Sequence, residues 1–114
     1  MAETACLFCR IASGDIAAKK VHEDAQAVVF EDIRPQAPVH WLLIPRRHIA
    51  GLAEAAPADA ALLGELQLLA ARLARQRGLA GYRTVLNVGE DAGQSVFHLH
   101  LHLLGGRPLA WPPG

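Results

Sequence analysis

The chain has 114 residues, 11 Lys+Arg balanced by 11 Asp+Glu, and a pI near 7.0. That length favours one domain, residues 1–114, with a single core, and is too short to pair a separate nucleotide-binding domain with a substrate domain. Zero formal charge with scattered basic residues removes the nonspecific attraction on which nucleic-acid binding depends, so a nucleic-acid polymer is not an expected partner.

The first residues, Met1 to Ala5, lack the positive region and apolar stretch of a secretory signal. No apolar run approaches the roughly 20 residues that span a bilayer. A cytoplasmic protein with no membrane partner is expected. Cys6 to Ser13 reads as a short helix with Leu7, Phe8 and Ile11 as its apolar stripe and Gly14 as C-terminal cap. Cys6 and Cys9, three apart, share one face of it. In a reducing compartment such a pair fits metal binding or redox chemistry better than a structural disulfide, and no thioredoxin-like strand precedes it.

Two β-rich runs follow, Ala27–Phe30 and His40–Ile44, separated by a turn at Pro35–Pro38. From Pro57 to Arg77 the period changes: Leu62, Leu66, Leu69 and Leu73 mark one helix face, Asp59 lies in the first turn, Arg72, Arg75 and Arg77 near the last, and Gly78 beyond. Arg83–Val88 reads as a strand, Gly89–Gly93 as a turn, and Val96–Leu104 as a last long strand. Helix, strands, long helix, strands predict an α+β domain with an antiparallel sheet. No internal repeat or linker interrupts it.

Six histidines are the compositional anomaly, and three of them fall in His98-Leu99-His100-Leu101-His102. Along a strand, side chains alternate faces, so the leucines face the core and the imidazoles line the opposite face. Neighbouring imidazoles there are about 6.6 Å apart, close enough for two of them to contact one small anionic group such as phosphate. Three readings are open: a solvated strand face, a three-His zinc site with an open position, and imidazoles acting as nucleophile and acid/base.

The run His98 to Leu104 resembles the signature of the histidine-triad family, in which three His alternate with apolar residues. The similarity extends to Phe30-x-Asp32-Ile33-x-Pro35-Gln36-Ala37-Pro38, His40, Ile44-Pro45-x-x-His48, Asn87 and Gly93-Gln94-Ser95-Val96. The tail, Gly105-Gly106-Arg107 with Trp111-Pro112-Pro113-Gly114, resembles the Hint-type branch, and coverage runs from about Phe8 to the C-terminus. The resemblance implies an antiparallel sheet of about five strands per subunit with one long and one short helix, assembled as a homodimer.

It also implies hydrolysis of purine nucleoside 5′-phosphoramidates through a nucleotidyl-histidine. His100 matches the nucleophile, with an acceptor expected behind its second nitrogen. His102, Ser95 and Asn87 match contacts to the phosphate or leaving group, and His40 a fourth histidine near the nucleophile. Asp32 matches the acceptor of the ribose hydroxyls. Phe8, Ile11, Ile16, Phe30 and Ile33 would line the base pocket, the Gly93, Gln94 and Ser95 turn would supply backbone donors to phosphate oxygens, Val96 would belong to the nucleotide-binding set, and Trp111 would reach the partner's site. The third histidine, His102, favours hydrolysis over nucleotidyl transfer. The tail argues against a dinucleoside polyphosphate hydrolase, which shares the triad. Some bacterial relatives hold zinc on a Cys pair plus two His, and the matching positions here are Cys6, Cys9, His48 and His98, a closed set that would staple the first helix to the sheet. His22 matches no role. A nucleotide- and zinc-binding adaptor acting through protein interaction would need the same residues.

Overall fold

The computed structural model describes residues 5–114; the leader reading of Met1–Thr4 lies outside the described residues. The elements are α1 (Leu7–Ser13), β1 (Lys20–Glu23), β2 (Ala27–Glu31), β3 (Val39–Pro45), α2 (Ala60–Arg77), β4 (Tyr82–Val85) and β5 (Leu101–Gly105). The strands form one antiparallel sheet in the order β1-β2-β3-β5-β4. This is the expected α+β architecture, one short helix and one long.

Local chemistry sets the helix ends. The Cys6 sulfur accepts the Cys9 N–H at 3.3 Å at the start of α1. Gly14, at φ +87°, closes the helix in the left-handed conformation that glycine takes without steric cost. Before α2, Pro57–Asp59 forms a single 3-10 turn, so the α-helix starts three residues later than its sequence pattern. The Asp59 carboxylate fixes that turn by accepting from the Ala56 N–H at 2.8 Å and from Arg47. These bonds to the backbone amide and then to the guanidinium hold its pKa below the usual carboxylate value.

Strand alternation divides the core between the two faces of the sheet. Val29, Leu43, Leu99, Leu101 and Leu103 pack under the Leu66, Leu69 and Leu73 stripe of α2, with Leu62 partly buried beside it. Val28, Phe30, Leu42 and Ile44 face the other way and pack with Phe8, Ile11 and Ala12 of α1. The small helix thus covers the face on which the imidazoles lie.

Three elements differ from the sequence pattern. β1 went unread because its four residues, Lys-Val-His-Glu, form a short edge strand with only partial burial and a bulge between Lys20 and His22. β4 ends at Val85 rather than Val88. The last strand begins at Leu101, not Val96. Upstream of it the chain leaves the ladder, retaining a bond from the Leu99 N–H to the Ile49 carbonyl at 2.7 Å, and the His98 side chain is drawn toward α1. Leu99 still enters the α2-side core, so the two-residue alternation outlasts the hydrogen-bonded strand. The described residues contain no helix long and apolar enough to cross a membrane.

Candidate functional site

On the α1 side of the sheet lies a cavity of about 340 Å³. Phe8, Ile11 and Phe30 form its apolar wall, and Asp32, Asn87, Ser95, His100 and His102 its polar side. Phe8 organises this wall: its ring meets Phe30 edge-on at 5.4 Å and His100 at 5.1 Å, geometry favoured between aromatic quadrupoles. Two larger clefts, of about 730 and 500 Å³, contain neither histidine nor cysteine. The smaller cavity is the one of the three that brings histidines together with a carboxylate and an apolar wall.

Several expected contacts are placed differently. Ile33 is 94% exposed at the cavity rim. Ile16 packs behind the wall against the Phe8 and Phe30 cluster rather than lining it. Trp111 is 81% exposed and lies outside the cavity of its own chain. Leu7, Glu31, Arg34 and Leu42 line the cavity without having been singled out from sequence. Leu42 was readable from strand alternation, which puts it on the face of Phe30, and Leu7 from the apolar stripe it shares with Phe8 and Ile11; Glu31 and Arg34 carried no distinguishing signal.

The imidazoles form a directional chain. His40 and His102 sit diagonally on β3 and β5, where His40 pairs with Leu104 and Leu42 with His102. The Gln36 backbone N–H donates to His40 Nδ1 at 3.0 Å, so that nitrogen holds a lone pair. A neutral ring has one N–H, which must then be on Nε2. His40 Nε2 lies 2.9 Å from His102 Nδ1 and donates to it, leaving the His102 proton on Nε2. The Asp32 carboxylate lies 3.4 Å from the same His40 nitrogen while its other oxygen accepts from the Arg34 N–H at 2.8 Å. Asp32, His40 and His102 come close enough together to suggest a metal site. The Gln36 bond opposes that, because His40 cannot accept at Nδ1 and ligate through Nε2 without becoming an imidazolate. This cluster is a proton chain.

Behind the cavity, His100 Nδ1 donates to the His98 carbonyl at 2.8 Å. That carbonyl is the acceptor expected from the sequence, and it leaves Nε2 as the lone-pair nitrogen of His100. The rings of His100 and His102 lie 5.1 Å apart.

The turn beside them needs a correction. The amides of Gly93 and Gln94 are bonded to the Glu90 and Gly89 carbonyls at 2.9 and 3.0 Å, so they are not the phosphate donors their position suggested. The buried Gln94 side chain is a brace, accepting from the Gly89 N–H and donating to the carbonyls of Ala50 and Val96. Ser95 and Val96, which line the cavity together with Gly93, are the residues of this turn whose amides take no part in its internal bonds. Gly93, at φ +90°, supplies the reversal that brings them there.

A second cluster lies on the other side of Phe8. Cys6 and Cys9 Sγ approach His98 Nδ1 at 3.3 and 3.4 Å, and Cys9 Sγ approaches His48 Nδ1 at 3.3 Å. All four donor atoms lie within 4.8 Å of one another. A tetrahedral zinc with two thiolate and two imidazole ligands sets sulfur and nitrogen about 3.5 Å apart. The His98 ring, fully buried, donates from Nε2 to the Pro45 carbonyl at 2.8 Å, which turns its Nδ1 lone pair toward the thiols. A carbonyl accepting from the far ring nitrogen in this way is the usual partner of a metal-bound histidine. The donor set fits zinc.

His22 lies apart on the surface, its Nε2 2.8 Å from an Asp24 carboxylate oxygen. That contact, followed by the Gln26 amide, lowers the Asp24 pKa.

The family model described as the scavenger mRNA decapping enzyme C-terminal binding domain matches residues 5–108. An uncharacterized HIT-like protein of Synechococcus elongatus is 53% identical over 109 residues, covering 95% of this chain and 96% of the relative. The chain belongs to the histidine-triad family. A HIT family hydrolase from Legionella pneumophila superposes with a TM-score of 0.94 at 51% identity, covering 96% of this chain and 99% of that one. A zinc-bound histidine-triad protein from Mycobacterium smegmatis superposes at 0.79 with 36% identity, covering 90% and 76% respectively. In this histidine-triad chain the three histidines face different surroundings: the first faces the thiols, the second and third the cavity.

Burial, then the proximity of His100 and His40, push the His102 pKa from 6.5 down to about 4, with Asp32 partly opposing. Burial likewise lowers that of His40. Between pH 6.5 and about 4 the unfolded chain therefore takes up a proton at residue 102 that the folded chain refuses. The stability contributed is intact above 6.5 and is lost as pH falls through that window. Thermal midpoints measured across it should decline toward acid, and His102→Gln should make the decline shallower; an unchanged slope would refute the assignment.

Proposed function

We propose that this chain hydrolyses purine nucleoside 5′-phosphoramidates, of the adenosine 5′-monophosphoramidate type, through a covalent nucleotidyl-His100 intermediate. One observation carries the reading: the His98 carbonyl holds the His100 Nδ1 proton, so a neutral nucleophilic nitrogen remains at the cavity beside a protonated His102 Nε2.

The purine would lie against Phe8, Ile11 and Phe30, a mainly apolar wall that discriminates weakly between adenine and guanine. Asp32 would accept from the ribose hydroxyls. Ser95, Asn87 and the amides of Ser95 and Val96 would meet the phosphate oxygens and offset their developing charge. His100 Nε2 attacks the α-phosphorus and the P–N bond breaks; the leaving nitrogen, steadied by the hydrogen bond from His102 Nε2, departs as the amine with a proton from water, since neutral His102 cannot give up its one N–H. In the second step water attacks the nucleotidyl-imidazole, its proton neutralises the hydroxide left by the first step, and nucleoside monophosphate and free His100 are released. Splitting one displacement into two keeps His102 Nε2–H as a fixed donor to the leaving nitrogen while the imidazole of His100 serves as nucleophile and then as leaving group.

Cys6, Cys9, His48 and His98 would hold a structural zinc. When bound, that ion cross-links α1 to the sheet and takes no part in the displacement. The zinc-bound mycobacterial relative supports this reading. We further propose a single cytoplasmic domain, residues 1–114, working as a homodimer; the exposure of Trp111 suits a tail that completes the partner's cavity.

The test is substrate partition. Incubated with adenosine 5′-monophosphoramidate and, separately, a diadenosine polyphosphate, the protein should release AMP rapidly from the first and at least about a hundredfold more slowly from the second. Faster cleavage of the polyphosphate would replace the phosphoramidase reading with its close relative, and inertness toward both would leave the adaptor.

A further inference from the structure

The proton chain through His40 and His102 starts from the Gln36 N–H, in an exposed loop between Pro35 and Pro38. Neither proline has an N–H with which to tie the loop down. Its hold comes from the C-terminal tail. Arg107 Nε and Nη2 both donate to the Gln36 carbonyl, at 3.1 and 2.9 Å, while Nη1 donates to the Pro108 carbonyl at 2.9 Å. Next to it Gly106, at φ +93°, lies so close to Pro38 that an added Cβ would sit 2.9 Å from the proline Cβ. The Gln36 side-chain amide completes the hold by donating to the Arg34 carbonyl at 3.0 Å.

We propose that Arg107 is a positioning residue for the proton chain: its forked grip on the Gln36 carbonyl aims the Gln36 N–H at His40 Nδ1 and thereby keeps the His102 proton on Nε2. Arg107 does not line the cavity. It acts on geometry alone, by fixing the peptide on one side of Gln36 so that the amide on the other side stays in line. Without the grip, the Gln36 N–H can turn to water, and His40 is free to protonate Nδ1. Its Nε2 lone pair would then face the lone pair of His102 Nδ1, and relief of that clash moves the His102 proton to Nδ1, away from the leaving group. Lysine cannot replace the fork, since one ammonium offers a point donor rather than two parallel N–H bonds. The kinetic consequence rests on the phosphoramidase reading; the tautomer consequence does not.

Two measurements test this on the intact protein and its Arg107→Ala and Arg107→Lys variants. Long-range proton–nitrogen correlation on 15N-histidine protein should show a single tautomer for His40 and His102 in the unmodified chain, both protonated at Nε2. Both variants should show mixed tautomers, less so for lysine. Kinetics should be compared on two adenosine phosphoramidates, one with a basic alkylamine leaving group and one with a weakly basic arylamine. For the alkylamine kcat should fall about tenfold, the scale of one lost hydrogen bond to a leaving group that gathers charge, with KM within about twofold, while the arylamine, whose ring spreads that charge, should be almost unaffected. Unchanged ring tautomers, or equal losses on both substrates with a raised KM, would overturn the proposal. If the unmodified protein cleaves neither substrate, the phosphoramidase reading fails, and the ring tautomers still decide the role of Arg107.

Discussion

His100→Ala is expected to reduce phosphoramidate turnover by at least about a thousandfold, because a displacement that proceeds through the imidazole has no second nucleophile to use. The loss should fall on kcat. Phe8, Ile11 and Phe30 stay in place as the apolar wall, so binding of AMP should weaken only a few-fold. His98 is fully buried and held through Pro45, so its carbonyl loses a partner without losing its position. The diagnostic species is the nucleotidyl-enzyme. Rapid alkaline quench, which spares the acid-labile P–N bond, followed by mass spectrometry should find a nucleotide monophosphoryl adduct on the unmodified chain, localised to the peptide containing His100, and none on the variant. Residual turnover within tenfold of the unmodified enzyme, or an adduct on the variant, would move the nucleophile elsewhere.

Much of this site was legible in the sequence because its residues lie on elements with strong periods. Alternation along His98 to Leu103 placed leucines in the α2-side core and imidazoles on the other face, and it did so even where the ladder is absent. Pairing between distant segments is what the linear pattern could not supply. Nothing local marks the Gln36 amide as the partner of His40, because a backbone donor has no residue signature. The same is true of Arg107, whose target is a carbonyl 71 residues away. The turn at Gly93 and Gln94 misled for a related reason: glycine-rich spacing signals available amides, and only the fold shows that these two close the turn on themselves. β1 was missed because a four-residue edge strand buries too little to leave an alternation.

Removing the proposed metal should cost both stability and site geometry. Cys6 caps α1 and Cys9 lies in its first turn, while His48 and His98 come from the segment after β3 and the segment before β5, so one ion would close loops spanning most of the chain. Cross-links of that span are worth about 2–5 kcal/mol, and at roughly 4 °C per kcal/mol for a chain of this size the Cys6→Ser/Cys9→Ser variant should melt about 10–20 °C lower. Elemental analysis should find about one zinc per chain in the unmodified protein and none in the variant. The damage should reach the cavity by two routes. α1 carries Phe8 and Ile11, two of the three residues of the apolar wall, so AMP affinity should fall. His98 presents its ring to the thiols and its carbonyl to His100 Nδ1, so loosening the ring also loosens the acceptor that holds the nucleophile's proton. AMP binding by calorimetry separates this from a purely global effect: at a temperature where both proteins are fully folded, the variant should still bind AMP more weakly. Equal affinity there, with equal melting temperatures and no zinc in either protein, would return the cysteines to an ordinary reduced pair on the inner face of α1.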